Sequence, residues 1–255
     1  MKTLVYYCAV AAAFTAFGAD PYSGVSATDK EIYLAACLTL PPDQGSGLWT
    51  SNVNFKWPRH STINVSFLDG DDAIQRKVMK FASEWTEFTD IKFVRVSHAG
   101  DVRITFNGLG YRSMVGKRAK TRTNPALPTM TLGFPTSVTE VEVRRHVLHE
   151  FGHVLGFAHE QQSPSVQIHW KEKEVLRFYK LKAGWDEEKV RDNVLRRPRP
   201  TELANSAATA FDPKSIMIYP IPAGLTEDGF SVDWNTTLSE RDKKFARQQY
   251  LDDGN

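Results

Sequence analysis

Three histidines and a glutamate stand within an eleven-residue stretch, at a spacing that suits a metal ion. His149 and His153 are four residues apart, so on a helix their imidazoles project from one face and can bind one ion. Glu150 follows the first histidine, where its carboxylate can reach a metal-bound water without binding the metal itself. Gly156 lacks a Cβ and permits a left-handed turn that ends the helix, after which His159 can approach the same ion.

We therefore predict one catalytic Zn²⁺ ion bound by His149, His153 and His159. Three neutral imidazoles leave an open coordination position for water, as in catalytic zinc sites. Zinc lowers the pKa of bound water from ~16 toward ~7, and Glu150 would accept its proton as general base and pass it to a leaving amine. The alternative is a set of helix-face histidines without a metal. It is disfavoured because six fixed positions match by chance about once in a million such chains.

His146 precedes the first predicted ligand by three residues. Because three ligands are already supplied, we interpret His146 as structural.

Apolar patterns predict the elements that carry this motif. Strands are predicted at Ile63–Phe67, Ile91–Val96, Val102–Phe106 and Met130–Phe134. Helices are predicted from Asp71 or Asp72 to about residue 88, and from Val138 to Leu155 with Ser137 or Thr136 as the cap. Further helical patterns occur near Lys171–Lys180, Asp186–Leu195 and Ser239–Tyr250. This order indicates an α+β fold with a sheet-containing N-terminal part and a helical, loop-rich C-terminal part.

Composition and charge limit the class of protein. Hydrophobic residues make up 41% of the 255-residue chain and charged residues 24%, which is typical of a globular protein with one large domain or two small ones. The net charge of +2 is too small to predict a nucleic acid or an anionic membrane as a partner.

The N-terminus has the pattern of a secretory signal peptide. The apolar run Leu4–Phe17 follows Lys2 and is shorter than the ~20 residues that span a bilayer. We predict cleavage near Gly18, which divides the chain into a signal peptide (1–18), a short pro-segment or linker (19–47) and a catalytic domain (48–255). The protein would then be secreted and extracellular, without membrane contact after signal removal. An uncleaved membrane anchor is the alternative.

Removal of the signal peptide would take Cys8 with it and leave Cys37 as the remaining cysteine, so no intramolecular disulfide is possible. Two glycosylation sequons begin at Asn64 and Asn235. Asn64 falls in a predicted strand, which makes Asn235 the better candidate.

Two further features produce a family resemblance. Glu160 directly follows the third histidine, and Ser215–Tyr219 (SIMIY) matches the pattern S-x-M-x-Y. The extended motif HExxHxxGxxH followed by such a methionine turn resembles the metzincins, and these two features resemble the astacin family among them. The resemblance covers about residues 48–251. It implies a zinc endopeptidase of two subdomains, the first with a twisted mixed sheet and the active-site helix.

The resemblance also implies roles for individual residues. Met217 would form a hydrophobic floor beneath the zinc ligands, which is compatible with an ordinary core methionine. Tyr219 would bind zinc in the resting enzyme and then swing to hydrogen-bond the transition-state oxyanion, whereas the sequence alone fits a loop aromatic equally well. Thr129–Phe134 would be an edge strand that binds an extended peptide antiparallel. Substrates would be proteins or peptides, cleaved by a monomer.

Two departures from the family concern stability and latency. Astacin domains carry disulfides that this chain cannot form, and no clear match to their zinc-blocking F-x-G-D motif follows the signal peptide. Cys37 is therefore either a thiolate that blocks the zinc or an inert or intermolecular thiol. In astacins the glutamate that corresponds to Glu160 pairs with the mature N-terminus.

Two rival functions fit the motif less well. A zinc-stabilised protein that captures polypeptides without cleaving them would have no use for Glu150. A matrixin would lack Glu160 and Tyr219.

Overall fold

The computed structural model describes residues 37–39, 55–108, 110–135, 137–198 and 210–251. The predicted signal peptide (1–18) lies outside this part of the chain, as does the predicted pro-segment (19–47) apart from 37–39. Among the described residues, no helix has the length and apolar character needed to cross a bilayer.

A six-stranded sheet is formed by the described residues up to 133. Its strands are β1 (Cys37–Thr39), β2 (Thr62–Phe67), β3 (Lys92–Arg95), β4 (Val102–Thr105), β5 (Gly110–Ser113) and β6 (Met130–Gly133). They are ordered β1-β5-β6-β4-β2-β3 across the sheet. Strand β5 is antiparallel to β6, and all other neighbouring pairs are parallel. The four predicted strands correspond to β2, β3, β4 and β6.

Strand β6 lies inside the sheet, between β4 and β5. The prediction that Thr129–Phe134 forms an edge strand is therefore wrong. On this side of β6 the sheet continues with β5 and ends at β1, which pairs with β5 so that Cys37 is in register with Tyr111. The sequence of β5, GYRS, contains a single apolar residue and so gives almost no alternation from which a strand could be predicted.

Helix α1 (Asp72–Ala82) is capped by Asp71, whose side chain accepts a hydrogen bond from Ile74 N in the first turn. The predicted helix extended to about residue 88, but the α-helical part ends at Ala82 and a 3₁₀ helix follows over Ser83–Phe88. The hydroxyl groups of Ser83 and Thr86 each donate to the carbonyl three residues earlier. Such side-chain bonds compete with α-helical bonding.

Helix α2 (Glu140–Val154) carries the histidine motif. Thr139 caps it through a capping box: Thr139 Oγ1 accepts from Glu142 N at 3.3 Å, and the Glu142 carboxylate accepts from Thr139 N at 2.6 Å. The predicted cap at Ser137 or Thr136 is therefore wrong, because this reciprocal pair forms farther along the chain.

The apolar side of α2 packs against the sheet and the 3₁₀ helix that follows α1. The Phe151 ring meets Phe93 edge-on at a centroid distance of 4.9 Å. The indole Nε1 of Trp85 donates to Leu148 O at 2.9 Å. These contacts fix the rotation of α2 about its axis, with its two zinc-motif histidines on the side away from Phe151.

The second half of the described chain is helical and loop-rich. Its helices are α3 (Glu172–Ala183), α4 (Glu187–Val190) with a π-helical turn after it (Arg191–Leu195), and α5 (Glu240–Tyr250). Helices α3 and α4 share a hydrophobic core of their own, whereas α5 packs on the sheet core, where Tyr250 Oη donates to Leu155 O at 2.6 Å. The predicted helical segments and the α+β fold in two parts are confirmed.

Candidate metal centre

Helix α2 and the turn at its end bring the three predicted histidine ligands together. His149 and His153 lie one turn apart on α2. Gly156 has a φ of 91°, the left-handed conformation predicted for it, and its N–H donates to His153 O at 2.8 Å. The chain then reverses, and the ligand nitrogens of His149, His153 and His159 all lie within 4.8 Å of one another.

Backbone carbonyls orient the two helical ligands. His149 Nδ1 lies 2.8 Å from Ile216 O, and His153 Nδ1 lies 2.7 Å from Phe157 O. Because a carbonyl oxygen only accepts hydrogen bonds, these contacts assign the imidazole proton to Nδ1 in both rings. Each Nε2 atom therefore presents a lone pair to the space between the histidines.

The arrangement of the Nε2 atoms fits a shared metal ion. His153 Nε2 and His159 Nε2 are 3.2 Å apart. His149 Nε2 is buried and has no hydrogen-bond partner among the described residues. Buried polar atoms without a partner are rare in proteins, and three converging imidazole nitrogens are the donor set of a catalytic zinc site.

Burial also keeps the three rings in the form that binds metal. It lowers the pKa of His153 to about 4 and holds the pKa values of His149 and His159 well below their usual range. The side chain of Gln162 hydrogen-bonds to the His159 ring and raises its pKa in part. At neutral pH the imidazoles are therefore uncharged, as metal binding requires.

Met217 packs directly against the ligand-bearing helix. A Cβ atom at Gly152 would lie 2.3 Å from Met217 Sδ, so the glycine before His153 allows this close approach. Met217 is buried in the sheet core, and its carbonyl accepts from Glu160 N at 3.0 Å. This packing agrees with the hydrophobic floor implied by the family resemblance.

Asp242, on α5, anchors the turn that holds His149. Its carboxylate accepts from Ser215 Oγ at 2.6 Å and from Ile216 N at 2.8 Å. Burial raises the pKa of Asp242 to about 6, and these hydrogen bonds limit the rise. The Ile216 carbonyl that orients His149 is thereby fixed to the C-terminal helix.

Glu150 and Tyr219 border the three histidines. Glu150 is fully buried on α2, directly after His149. The Tyr219 ring is also buried, with its centroid 4.5 Å from that of His159 and 6.1 Å from that of His149. The structure thus brings the three histidines and Tyr219 into one buried cluster, and Glu150 is buried at the next helix position after His149.

Glu160 lies on the other side of the methionine turn. Its carboxylate accepts from Asp212 N at 2.9 Å, and burial raises its pKa to about 8. The predicted start of the catalytic domain at residue 48, near which the family resemblance would place a mature N-terminus that pairs with Glu160, lies outside the described residues.

Comparison with known proteins identifies the family. The model described as Astacin (Peptidase family M12A) matches residues 49–249. The chain belongs to the astacin family. A solved structure of myroilysin is 34% identical and covers 79% of this chain and 98% of its own, with a TM-score of 0.74. A crystal structure of myroilysin is 30% identical and covers 87% of this chain and 96% of its own, with a TM-score of 0.61.

A more distant structure agrees in fold. The hatching-enzyme zinc-protease high choriolytic enzyme 1 of Oryzias latipes, the medaka fish, is 16% identical and covers 80% of this chain and 96% of its own, with a TM-score of 0.51. No curated protein sequence matches the chain.

This member of the astacin family is a zinc metalloendopeptidase. The predictions of family, enzyme class and zinc cofactor are confirmed, and proteins are its class of substrate. Sequence reasoning missed the groups that orient the ligands, namely the carbonyls of Ile216 and Phe157 and the side chains of Gln162 and Asp242. The S-x-M-x-Y pattern identifies the turn that contains the Ile216 carbonyl. A backbone carbonyl can accept a hydrogen bond whatever side chain its residue carries, so residue type alone does not predict its role.

Proposed function

We propose that this astacin-family peptidase is secreted and hydrolyses internal peptide bonds, with His149, His153 and His159 as zinc ligands and Glu150 as general base. The observation that supports it best is the convergence of three buried imidazole nitrogens with a fully buried carboxylate beside them. Zinc bound there would polarise the scissile carbonyl and lower the pKa of a bound water.

Glu150 is placed for proton transfer. It follows His149 on α2, so its carboxylate can approach the water position without taking a ligand position. It would hold the proton taken from the attacking water at a carboxylate oxygen and deliver it to the departing amine.

Tyr219 would stabilise the oxyanion. Its ring lies beside those of His149 and His159, which supports a role in which the phenol would bind the metal in the resting enzyme and then swing to hydrogen-bond the oxyanion of the transition state.

Strand β5 would bind the substrate backbone, in place of the strand expected from the sequence. It is the outer strand of the catalytic domain, and Tyr111 on it stacks on His146 of α2 at a centroid distance of 3.5 Å. This stacking places the strand close to the ligand-bearing helix. Once β1 has been removed with the pro-segment, an extended peptide could pair with the side of β5 that β1 occupies, by β-augmentation.

The proposed division is a signal peptide (1–18), a pro-segment (19–47) and a catalytic domain (48–255). The pro-segment receives support from residues 37–39, which pair with β5 and so take the position proposed for substrate. The family match over 49–249 supports the start of the catalytic domain. Cys37 stays open between a zinc-blocking thiolate and an inert or intermolecular thiol.

Secretion can be tested by N-terminal sequencing of the protein recovered from culture medium. We expect the precursor to begin near Ala19, because the apolar run Leu4–Phe17 is of signal-peptide length, and the active form near Leu48, where the proposed catalytic domain begins. An intact Met1 on the exported protein would contradict the signal peptide. A fully active form that retains residues 37–39 would contradict the pro-segment.

The proposed function as a whole can be tested with casein or gelatin as substrate, with and without a zinc chelator. We expect cleavage at internal sites that the chelator abolishes and added Zn²⁺ restores, since the attacking water depends on the metal. Binding of zinc and of the protein substrate without cleavage would instead identify a polypeptide-binding protein. We further propose that it acts as a monomer, and that nucleic acids and membranes are not its partners because its net charge is small.

A further inference from the structure

The buried side chain of Gln161 holds the backbone of Tyr219. Gln161 lies in the 3₁₀ helix Glu160–Gln162, two residues after His159, and is 1% exposed. Its Oε1 accepts from Tyr219 N at 3.1 Å, and its Nε2 donates to Asn193 O at 3.1 Å. Because both ends of the carboxamide are bonded, the position of its oxygen is determined by the backbone at residue 193.

The anchor for this side chain is itself buried and bonded. Asn193 belongs to the π-helical turn Arg191–Leu195 and is 6% exposed. Its Nδ2 donates to Lys189 O at 2.9 Å. Gln161 therefore connects Tyr219 to the core of the C-terminal part.

A second bond holds the same stretch of chain two residues earlier. Glu160 N donates to Met217 O at 3.0 Å, so the segment from Met217 to Tyr219 is joined to the residues after His159 at two points. The bond from Gln161 is the one made to Tyr219 itself. Loss of this bond would let the Tyr219 backbone shift relative to His159, and shifts of about 1 Å in catalytic groups can lower rates substantially.

We propose that Gln161 is a positioning residue, which directs Tyr219 toward the substrate oxyanion by accepting the Tyr219 N–H while anchored to Asn193 O. This inference rests on the proposed role of Tyr219. An alternative in which Gln161 only stabilises the fold would predict lower stability in its variants without a selective loss of kcat.

The test is a double-mutant cycle in the zinc-loaded enzyme expressed from the full chain. Gln161→Met should lower kcat about tenfold, in the range seen for groups that orient functional residues, with KM changed less than about twofold. Zinc affinity should not change, because the two Gln161 bonds go to backbone groups outside the histidines. In a Tyr219→Phe background the same substitution should change kcat by less than about twofold.

The outcomes separate the inference from the proposed function. If Tyr219→Phe lowers kcat but Gln161→Met does not, or if the loss from Gln161→Met is equal in both backgrounds, the role of Gln161 is overturned. If Tyr219→Phe leaves kcat unchanged, the oxyanion role of Tyr219 fails and the inference fails with it.

Two more variants separate positioning from stability. Gln161→Glu keeps an oxygen for Tyr219 N but loses the donor to Asn193 O, so its kcat should fall by only about threefold, less than in Gln161→Met, because the bond to Tyr219 is kept while its anchor is lost. A loss as large as that of Gln161→Met would overturn the inference, and this variant decides alone if Gln161→Met does not fold. Gln162→Met is the comparison variant: Gln162 Nε2 donates to the neighbouring Asp192 O at 2.8 Å, and its side chain bonds to the His159 ring and not to Tyr219 N, so this variant should lower zinc affinity, which Gln161→Met should not. The effect of Gln162→Met on kcat should be equal with and without Tyr219→Phe.

Discussion

Glu150→Gln should bind zinc as the wild-type enzyme does and cleave protein about 10³-fold more slowly. The amide has nearly the shape of the carboxylate but cannot accept a proton from the attacking water. Glu150 follows His149 on α2 and lies outside the set of three ligand nitrogens, so the metal content should stay at one ion per chain. The measurements are kcat/KM on a peptide substrate and zinc content after dialysis.

A matched control lies at the start of the same helix. Glu140 is the first residue of α2, and its side chain is 59% exposed, facing Lys77 and Lys80 at 3.9 and 3.8 Å. Exposed ion pairs of this kind contribute little, so Glu140→Gln should change kcat/KM by less than about twofold. A near wild-type rate for Glu150→Gln would exclude Glu150 as the base. Loss of zinc from that variant would indicate that Glu150 acts on the metal site and not on the proton.

The sequence predicts those elements of the fold whose pattern lies within a few neighbouring residues. The α2 helix and its histidines follow from spacing within a few residues, and Gly156 follows from the one backbone conformation that lets the chain reverse there. Strand β5 was not predicted, because its four residues contain one apolar side chain and its position is decided by pairing with β6. The mistaken edge strand has the same origin, since strand order depends on contacts between distant segments.

The candidate site likewise has one part that the sequence predicts and another that it does not. Its three histidines and Glu150 are side chains of characteristic type at fixed spacing, and the structure brings the ligand nitrogens of the histidines together. The groups that orient these side chains depend on tertiary packing. One of them is the carbonyl of Ile216, which orients His149, and the N–H group of Ile216 donates to Asp242 on the last helix, 26 residues along the chain. No spacing rule predicts such a contact, because its distance along the chain depends on the length of the loop between.

Replacing His153 by alanine should abolish both zinc binding and proteolysis. The substitution removes one of three nitrogens that converge on the ion, and with it the 2.7 Å hydrogen bond to Phe157 O in the turn that carries His159. A ligand present at about 1,000 times its Kd stabilises the native state by about 4 kcal/mol. For a domain of this size that corresponds to a rise in Tm of roughly 10 °C. Added Zn²⁺ should therefore raise the Tm of the wild-type protein but not that of His153→Ala.

His146→Ala supplies the matched control on the same helix. His146 is also a buried histidine, but its ring stacks on Tyr111 at a centroid distance of 3.5 Å and meets Trp234 edge-on at 5.8 Å. Its removal costs packing and should lower the Tm with or without metal, while leaving the rise on adding Zn²⁺ intact. If His146→Ala loses that rise, or His153→Ala keeps it, the assignment of zinc ligands on α2 is wrong. Comparing the rise in Tm, and not the Tm itself, separates the metal bond from the packing that any buried ring provides.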